Sequence, residues 1–256
     1  MTEPVLKIWR EFDGKLLRLR LNSPKANVID AEMIEALDAA FSDASTSTKA
    51  LAILLDHSGP HFSFGASVEE HLPNQCADML KSLHSLIKTM LASPAPILVA
   101  IKGQCLGGGL EVAMAGNMIF AAPDAMLGQP EIKLAVFAPA ASCLLPRLVA
   151  RQHAEDLLYS GRSISGERAA EIGLAVGTNA NPEAAAIEYF EQSLHGLSAS
   201  TLRHAITAAR ATFCAEISAD LDRVEKLYLE TLMSTHDAVE GLEAFVAKRP
   251  AVWEHR

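Results

Sequence analysis

The chain has no Cys-x-x-Cys pair, no run of basic side chains and no apolar stretch of membrane-spanning length among its 256 residues. Each absence excludes something. Its cysteines, Cys76, Cys105, Cys143 and Cys214, are too scattered for a disulfide framework and read as free thiols in a reducing compartment. Residues 1–10 carry charge and no apolar h-region, so no signal peptide is expected. The apolar runs are far shorter than a bilayer requires, so the expectation is a soluble cytoplasmic protein that does not bind a membrane. A net charge of −9 argues against a general nucleic-acid surface. A polyanionic ligand would have to be held by local cations, because the overall field opposes it. What is present is hydrophobicity: half the residues are apolar, enough for a large core, either as one compact domain or as a core with an appendage.

Patterning divides the chain. Leu16–Leu21 alternates at period two and predicts a half-exposed strand after a turn at Asp13-Gly14. Leu51–Leu55, Ile97–Ile101 and Met118–Ala122 are short continuous apolar runs, as buried strands are. Asp30 is an N-cap candidate for a helix carrying Met33, Ile34, Leu37 and Phe41, and Met79 to Leu91 keeps helical spacing. Beyond residue 139 the strand signal fades. Helices are expected over 140–149, 154–159 with Gly161 as C-cap, and from Asn181-Pro182 to Phe190. Three more are expected over 198–213, 218–233 and 236–248. The prediction is an α/β core over 1–195 containing the active site, then a helical tail over 196–256. A tail of about 60 residues is too small to be stable alone easily and should pack on the core or on a neighbouring subunit.

Two glutamates stand in informative surroundings. Glu111 closes Gly107-Gly108-Gly109-Leu110-Glu111, a triple glycine between a buried strand and an apolar helix. Glycines there can be a plain turn, and an acidic residue in a first helical turn is stabilising for its own sake. The run completes neither G-x-G-x-x-G nor a P-loop. Free N–H groups at such a helix start nevertheless suit a developing negative charge. Glu131 follows Gly128-Gln129-Pro130 and could be an ordinary loop residue; paired with Glu111 beside an oxyanion site, it suits general acid/base work on water. Phe62-Ser63-Phe64-Gly65-Ala66-Ser67 is a tight loop that can present a second N–H.

These segments occur in order, together with Phe245-Val246-Ala247-Lys248-Arg249-Pro250, and along essentially its whole length the chain resembles the crotonase (enoyl-CoA hydratase/isomerase) superfamily. The resemblance implies the crotonase fold: an α/β core of repeated ββα superhelical turns with a C-terminal helical trimerisation region, in a homotrimer or dimer of trimers. It implies a coenzyme A thioester as substrate and no separate cofactor or metal. By position, the N–H groups of Ala66 and Gly108 would hold the thioester oxygen, Glu111 would be the base on water, and Glu131 would hold the water and supply the proton. Lys25 would lie beside the CoA phosphates, and Lys248 would reach the adenosine phosphate; as residues alone, both read equally as solvated lysines.

The chain departs from the common pattern in two places. Ser67 stands where an Asp is frequent. After Glu131, Phe137-Ala138-Pro139-Ala140-Ala141-Ser142-Cys143 replaces a glycine-rich stretch; Pro139 cannot donate an N–H, and Phe137 is expected to shape the acyl pocket. This segment is similar to the dienoyl-CoA hydratases of anaerobic aromatic degradation. That implies a hydro-lyase making a net 1,4-addition of water to a cyclic dienoyl thioester, the charge spreading to the distal carbon of the remaining alkene. The alternatives are a straight-chain enoyl-CoA hydratase or an RNA-binding member of the fold. Cys143 as nucleophile, and His57, His61 and His71 as a metal set, lack partner spacing. Glu70 and His71 offer two readings, the pocket mouth or, in preference, a surface loop, and Phe245 and Trp253 read as packing anchors.

Overall fold

The computed structural model describes residues 3–23 and 26–256. The chain opens with strands β1 (Leu6–Glu11) and β2 (Leu16–Leu21), helix α1 (Ala31–Thr46), strand β3 (Ala52–His57) and helix α2 (Cys76–Leu91). Strands β4 (Ile97–Ile101) and β5 (Gln104–Leu106), helix α3 (Gly108–Ala115), and strands β6 (Met118–Ala121) and β7 (Met126–Gly128) follow. Then come α4 (Pro139–Leu148), α5 (Arg151–Ser160), β8 (Ser163–Ser165), α6 (Gly166–Glu171), β9 (Gly177–Thr178) and α7 (Pro182–Tyr189). The long α8 (Ala199–Lys226) and α9 (His236–Val246) end the chain.

The main sheet runs β1-β2-β3-β4-β6-β9, with β1 and β2 antiparallel and the other pairs parallel. A second sheet, β5-β7-β8, lies beside it. The recurring unit is a main-sheet strand, a sharp bend into the second sheet, and a helix: β4-β5-α3, then β6-β7 and α4. A bridge between Ser63 and Cys105 brings the segment after β3 into the same succession. Ile97–Ile101 is buried along its length because neighbouring strands flank it and helices cover it, which is why it reads as an uninterrupted apolar run.

Local chemistry sets the ends of these elements. The Asp30 carboxylate accepts from Met33 N–H at 3.0 Å, capping α1, whose buried face carries Met33, Ile34, Leu37, Ala40, Phe41 and Ala44 at helical spacing. Gly161 ends α5 at φ +63 and Asn181 caps α7, both as the sequence suggests. A charged cluster ties the sheet to α7: Arg18 and Arg20 of β2 share Asp56 of β3 and Glu183 of α7, and Arg18 also meets Glu11.

Several expectations are corrected. Strand β1 is missing from the sequence reading because charges fall on both of its faces, Arg10 beside Leu6 and Ile8, and Lys7 and Glu11 beside Trp9, which masks the alternation. The short β5, β7, β8 and β9 span two or three residues each, too few to show a period. The two helices expected over 198–213 and 218–233 are one rod through Lys226, continued by a wide π-helical turn at Leu227–Thr231. Its C-terminal half packs on the core through Ile217, Leu221, Val224 and Tyr228. Phe245 is about half exposed in the single chain and does not anchor α9; Trp253 lies against Gly241 instead.

Candidate active site

The loop from Phe62 to Ala66 is held on both sides. Phe62 N–H donates to the Lys102 carbonyl at 3.0 Å, Ser63 N–H to Gln104 at 3.0 Å, and Leu106 N–H returns to Ser63 at 3.0 Å. On the other side, Phe64 N–H donates to Ala26 and Ile29 N–H to Gly65, each at 2.9 Å. The buried Asn27 donates to the carbonyls of Ser58 (3.0 Å) and His61 (2.9 Å), locking the approach. Gly65 needs its φ of +109 to turn here, and its N–H is satisfied by Ser63 Oγ at 3.0 Å.

Opposite lies the start of α3. A Cβ built on Gly108 would stand 2.9 Å from Ala66 Cβ and 3.1 Å from Ala66 N, so only glycine lets the two backbones approach this closely. Among the described residues, neither the Ala66 nor the Gly108 N–H donates a hydrogen bond within the protein. Two free donors therefore converge where α3 begins, with the helix dipole behind one of them.

The two glutamates belong to the same site. Glu111 is 2 % exposed, and its Oε1 accepts from Ala141 N–H at 2.8 Å. Burial raises its pKa to about 7 against the help of the Ala141 and Ala140 amides. Glu131 sits in a 3-10 turn, Pro130–Leu134, and packs so near Gly107 that a Cβ on that glycine would collide with its Oε1. Burial, and then the charge of Glu111, raise the Glu131 pKa to about 8. With its amide nitrogen toward Glu131, buried Gln129 donates to Oε2 at 3.1 Å and Oε1 at 3.2 Å. Two coupled carboxyl groups with raised, separated affinities for protons can hold one proton between them near neutrality.

The segment after Glu131 does more than the sequence suggests. Pro139 is the first residue of α4, where a missing N–H costs nothing, and the next two amides face Glu111. The change from glycine to proline thus aims a helix N-terminus at the first carboxylate. Phe137 packs its ring against Tyr228 at 5.3 Å between centroids, while its neighbour Val136 lines the cavity in front of Glu131.

That cavity, about 70 Å³, is also walled by Gly65, Ala66, Gly107, Leu134, His71 and Leu242. His71 is therefore part of the wall rather than a surface loop: Nδ1 donates to the Ser67 carbonyl at 2.6 Å, and burial lowers its pKa, leaving a neutral ring. Leu242 brings α9, from the helical tail, to the wall of the same cavity. Ser67, at the frequent Asp position, hydrogen-bonds Glu69 at 3.3 Å. Lys25 lies outside the described residues. Lys248 is exposed just beyond α9, with no ion-pair partner among the described residues. The Cys143 thiol is buried, its pKa pushed to about 12 first by burial and then by Asp220 and Glu111, which disqualifies it as a nucleophile. His57 and His61 instead accept backbone N–H groups of Lys102 (3.2 Å) and Gln104 (3.1 Å). No group of three or more metal-ligating side chains converges among the described residues. Among them, no helix is long and apolar enough to cross a membrane.

Gln129, Ala141, Leu242 and the supporting Ser63 were not identified from sequence as site residues. Gln129 stands in the quoted motif, but nothing in linear spacing reveals that its amide turns back on Glu131. The others reach the site only through tertiary folding.

Comparison with known proteins agrees with this geometry. A profile of the enoyl-CoA hydratase/isomerase family matches residues 11–256. The chain is 61% identical to the cyclohexa-1,5-dienecarbonyl-CoA hydratase of Thauera aromatica, over 98% of this chain and 97% of that one. Crystal structures of enoyl-CoA hydratases from Mycobacterium avium and Bacillus halodurans superpose with TM-scores of 0.86 at 22% and 20% identity. These cover 98% and 94% of this chain, and 99% of each of theirs, and establish the fold. The converging amides, the paired carboxyl groups and the full-length match lead to one conclusion: the chain belongs to the enoyl-CoA hydratase/isomerase family.

Proposed function

We propose that this enzyme is a hydro-lyase adding water to cyclohexa-1,5-diene-1-carbonyl-CoA to give 6-hydroxycyclohex-1-ene-1-carbonyl-CoA, a step of benzoyl-CoA degradation. The observation that carries the reading is 61% identity across nearly the whole chain to a hydratase of that name, with Glu111 and Glu131 both in place at the amide-lined site. The straight-chain and RNA-binding alternatives have no comparable support.

The chemistry follows from the site. The Ala66 and Gly108 N–H groups bind the thioester oxygen and gain strength as it becomes enolate-like; each such donor is worth roughly 3–4 kcal/mol of barrier. Glu111, held toward its ionised form by the α4 amides, takes a proton from water as the oxygen bonds to the β carbon. The electron pair spreads through the carbonyl and the remaining alkene. Glu131, whose pKa is raised further, gives its proton to the distal alkene carbon, completing a 1,4-addition. No electron acceptor is needed, and coenzyme A enters and leaves as part of the thioester.

A cavity of about 70 Å³ is small for a six-membered ring, since a site holding benzene is on the order of 150 Å³. Leu134, Val136 and Leu242 must shift when the acyl group enters. Lys25 and Lys248 are the cations proposed for the CoA phosphates, Phe137 shapes the wall behind the ring, and the helical tail joins copies into a trimer or dimer of trimers in the cytoplasm.

The test is turnover of cyclohexa-1,5-dienecarbonyl-CoA beside crotonyl-CoA, with Glu111→Gln and Glu131→Gln as controls. Brisk hydration of the linear substrate alone refutes the substrate assignment; retained hydration in both variants refutes the mechanism.

A further inference from the structure

The steps above leave one buried polar group in this region unused. Tyr228 lies in the π-helical turn Leu227–Thr231 that continues α8, a rare backbone form that concentrates at functional sites. Its side chain is 0 % exposed, and its hydroxyl has no hydrogen-bond partner within the protein. Such a group is costly to keep, and phenylalanine would fill nearly the same volume without that cost. The ring stands at 67° to Phe137, against the segment that runs from Glu131 into α4. Burial first, and then the charges of Cys76, Glu131 and Glu111, hold the phenol proton on. Tyr228 is thus a neutral donor within the field of both glutamates yet bonded to neither.

We infer that Tyr228 contacts the reacting oxygen: its hydroxyl donates a hydrogen bond to the oxygen that the reaction delivers to the ring, first as water and then as the ring alcohol. The attacking water turns its hydrogens to carboxyl oxygens and one lone pair to carbon. Its second lone pair is free to accept from a donor that the reaction does not consume, and it stays free when the oxygen has become the ring alcohol. Glu131 gives up its proton; Tyr228 keeps its own. The C–O bond forms, the water proton passes to Glu111, the Glu131 proton passes to carbon, and the phenol is unchanged.

This inference rests on the cyclic dienoyl thioester reading, and the experiment separates the two. Wild type and Tyr228→Phe are compared in hydration of cyclohexa-1,5-dienecarbonyl-CoA. In a Glu111→Gln background, where bound ligand is not turned over, the affinities of 6-hydroxycyclohex-1-enecarbonyl-CoA and of cyclohex-1-enecarbonyl-CoA, which lacks the hydroxyl, are measured with and without Tyr228→Phe. The expected result is an about tenfold loss of kcat/KM, equal to about 1.4 kcal/mol. An about tenfold loss of affinity for the hydroxylated thioester alone should accompany it, with an unchanged or higher unfolding midpoint. Wild-type rates in Tyr228→Phe, or equal weakening of both ligands, overturn the inference while the substrate reading stands. A wild type inert toward the cyclic diene overturns both.

Discussion

Replacing Gly108 with alanine tests the oxyanion site with a single carbon atom. Gly108 does not have the positive φ that strains other residues, so the backbone accepts alanine. The added methyl, however, would lie 2.9 Å from Ala66 Cβ and 3.1 Å from Ala66 N, where carbon contacts settle near 3.5–4.0 Å. The Ala66 loop and the start of α3 must part by roughly half an ångström or more, and the methyl crowds the Ala66 N–H at the place proposed for the thioester oxygen. Losing one effective donor corresponds to roughly 3–4 kcal/mol, or a fall of about two to three orders of magnitude in kcat. Contacts to the CoA end lie elsewhere, so KM should move only a few-fold. The assay is steady-state hydration by chromatography of the thioesters, with circular dichroism and thermal unfolding to show that the variant folds. Ala66→Gly is the control, because it removes the methyl but keeps the N–H, and should lose far less. A folded Gly108→Ala enzyme within fivefold of wild-type kcat would falsify the assignment of these amides.

The carboxyl pair predicts a kcat/KM profile highest between about pH 7 and about pH 8, where one proton is shared, falling on both sides. Glu131→Gln should remove the alkaline limb, and an unchanged profile would contradict the acid role. The same groups affect stability. Both pKa values are raised from an ordinary value of 4.5, so between there and about 8 the folded chain binds more protons than the unfolded one. The pair's contribution is full below pH 4.5 and is lost as pH rises through about 7 to about 8. Urea titrations should therefore show the double variant Glu111→Gln/Glu131→Gln gaining a few kcal/mol over wild type at high pH, and little at pH 5. Asp56→Ala strands Arg18, itself 2 % exposed, and should cost about 3–5 kcal/mol in urea unfolding; a loss below about 1 kcal/mol would mean that Glu11 and Glu183 suffice as partners.

The site was legible in the sequence to the extent that its chemistry is backbone-encoded. Gly65, Gly107 and Gly108 can be read because each answers a geometric demand, a positive φ or a contact that a Cβ would break, that no other residue meets. Asp30, Gly161 and Asn181 were readable for the same reason, as caps with local partners. Gln129, Ala141 and Leu242 act through contacts that carry no linear period. Phe137 shows the limit from the other side: its type was informative, but the ring faces Tyr228, and Val136 took the place expected for it at the cavity. Strand β1 escaped because Lys7, Arg10 and Glu11 obscure its apolar positions.

The segment after Glu131 links specificity to acid strength. Pro139 starts α4 and so fixes where its first amides point, and the Ala141 N–H lies 2.8 Å from Glu111. Phe137, two residues earlier, places its ring against Tyr228. A substitution that reshapes the acyl wall by moving this segment must therefore also move the donors that keep Glu111 ionisable, and through Glu111 the proton affinity of Glu131. A ring substrate that needs its proton delivered at a distant carbon needs both changes at once, a different wall and a re-poised pair. One short segment, running directly into a helix N-terminus, supplies both because the carboxylate it supports is the one proposed to activate the water.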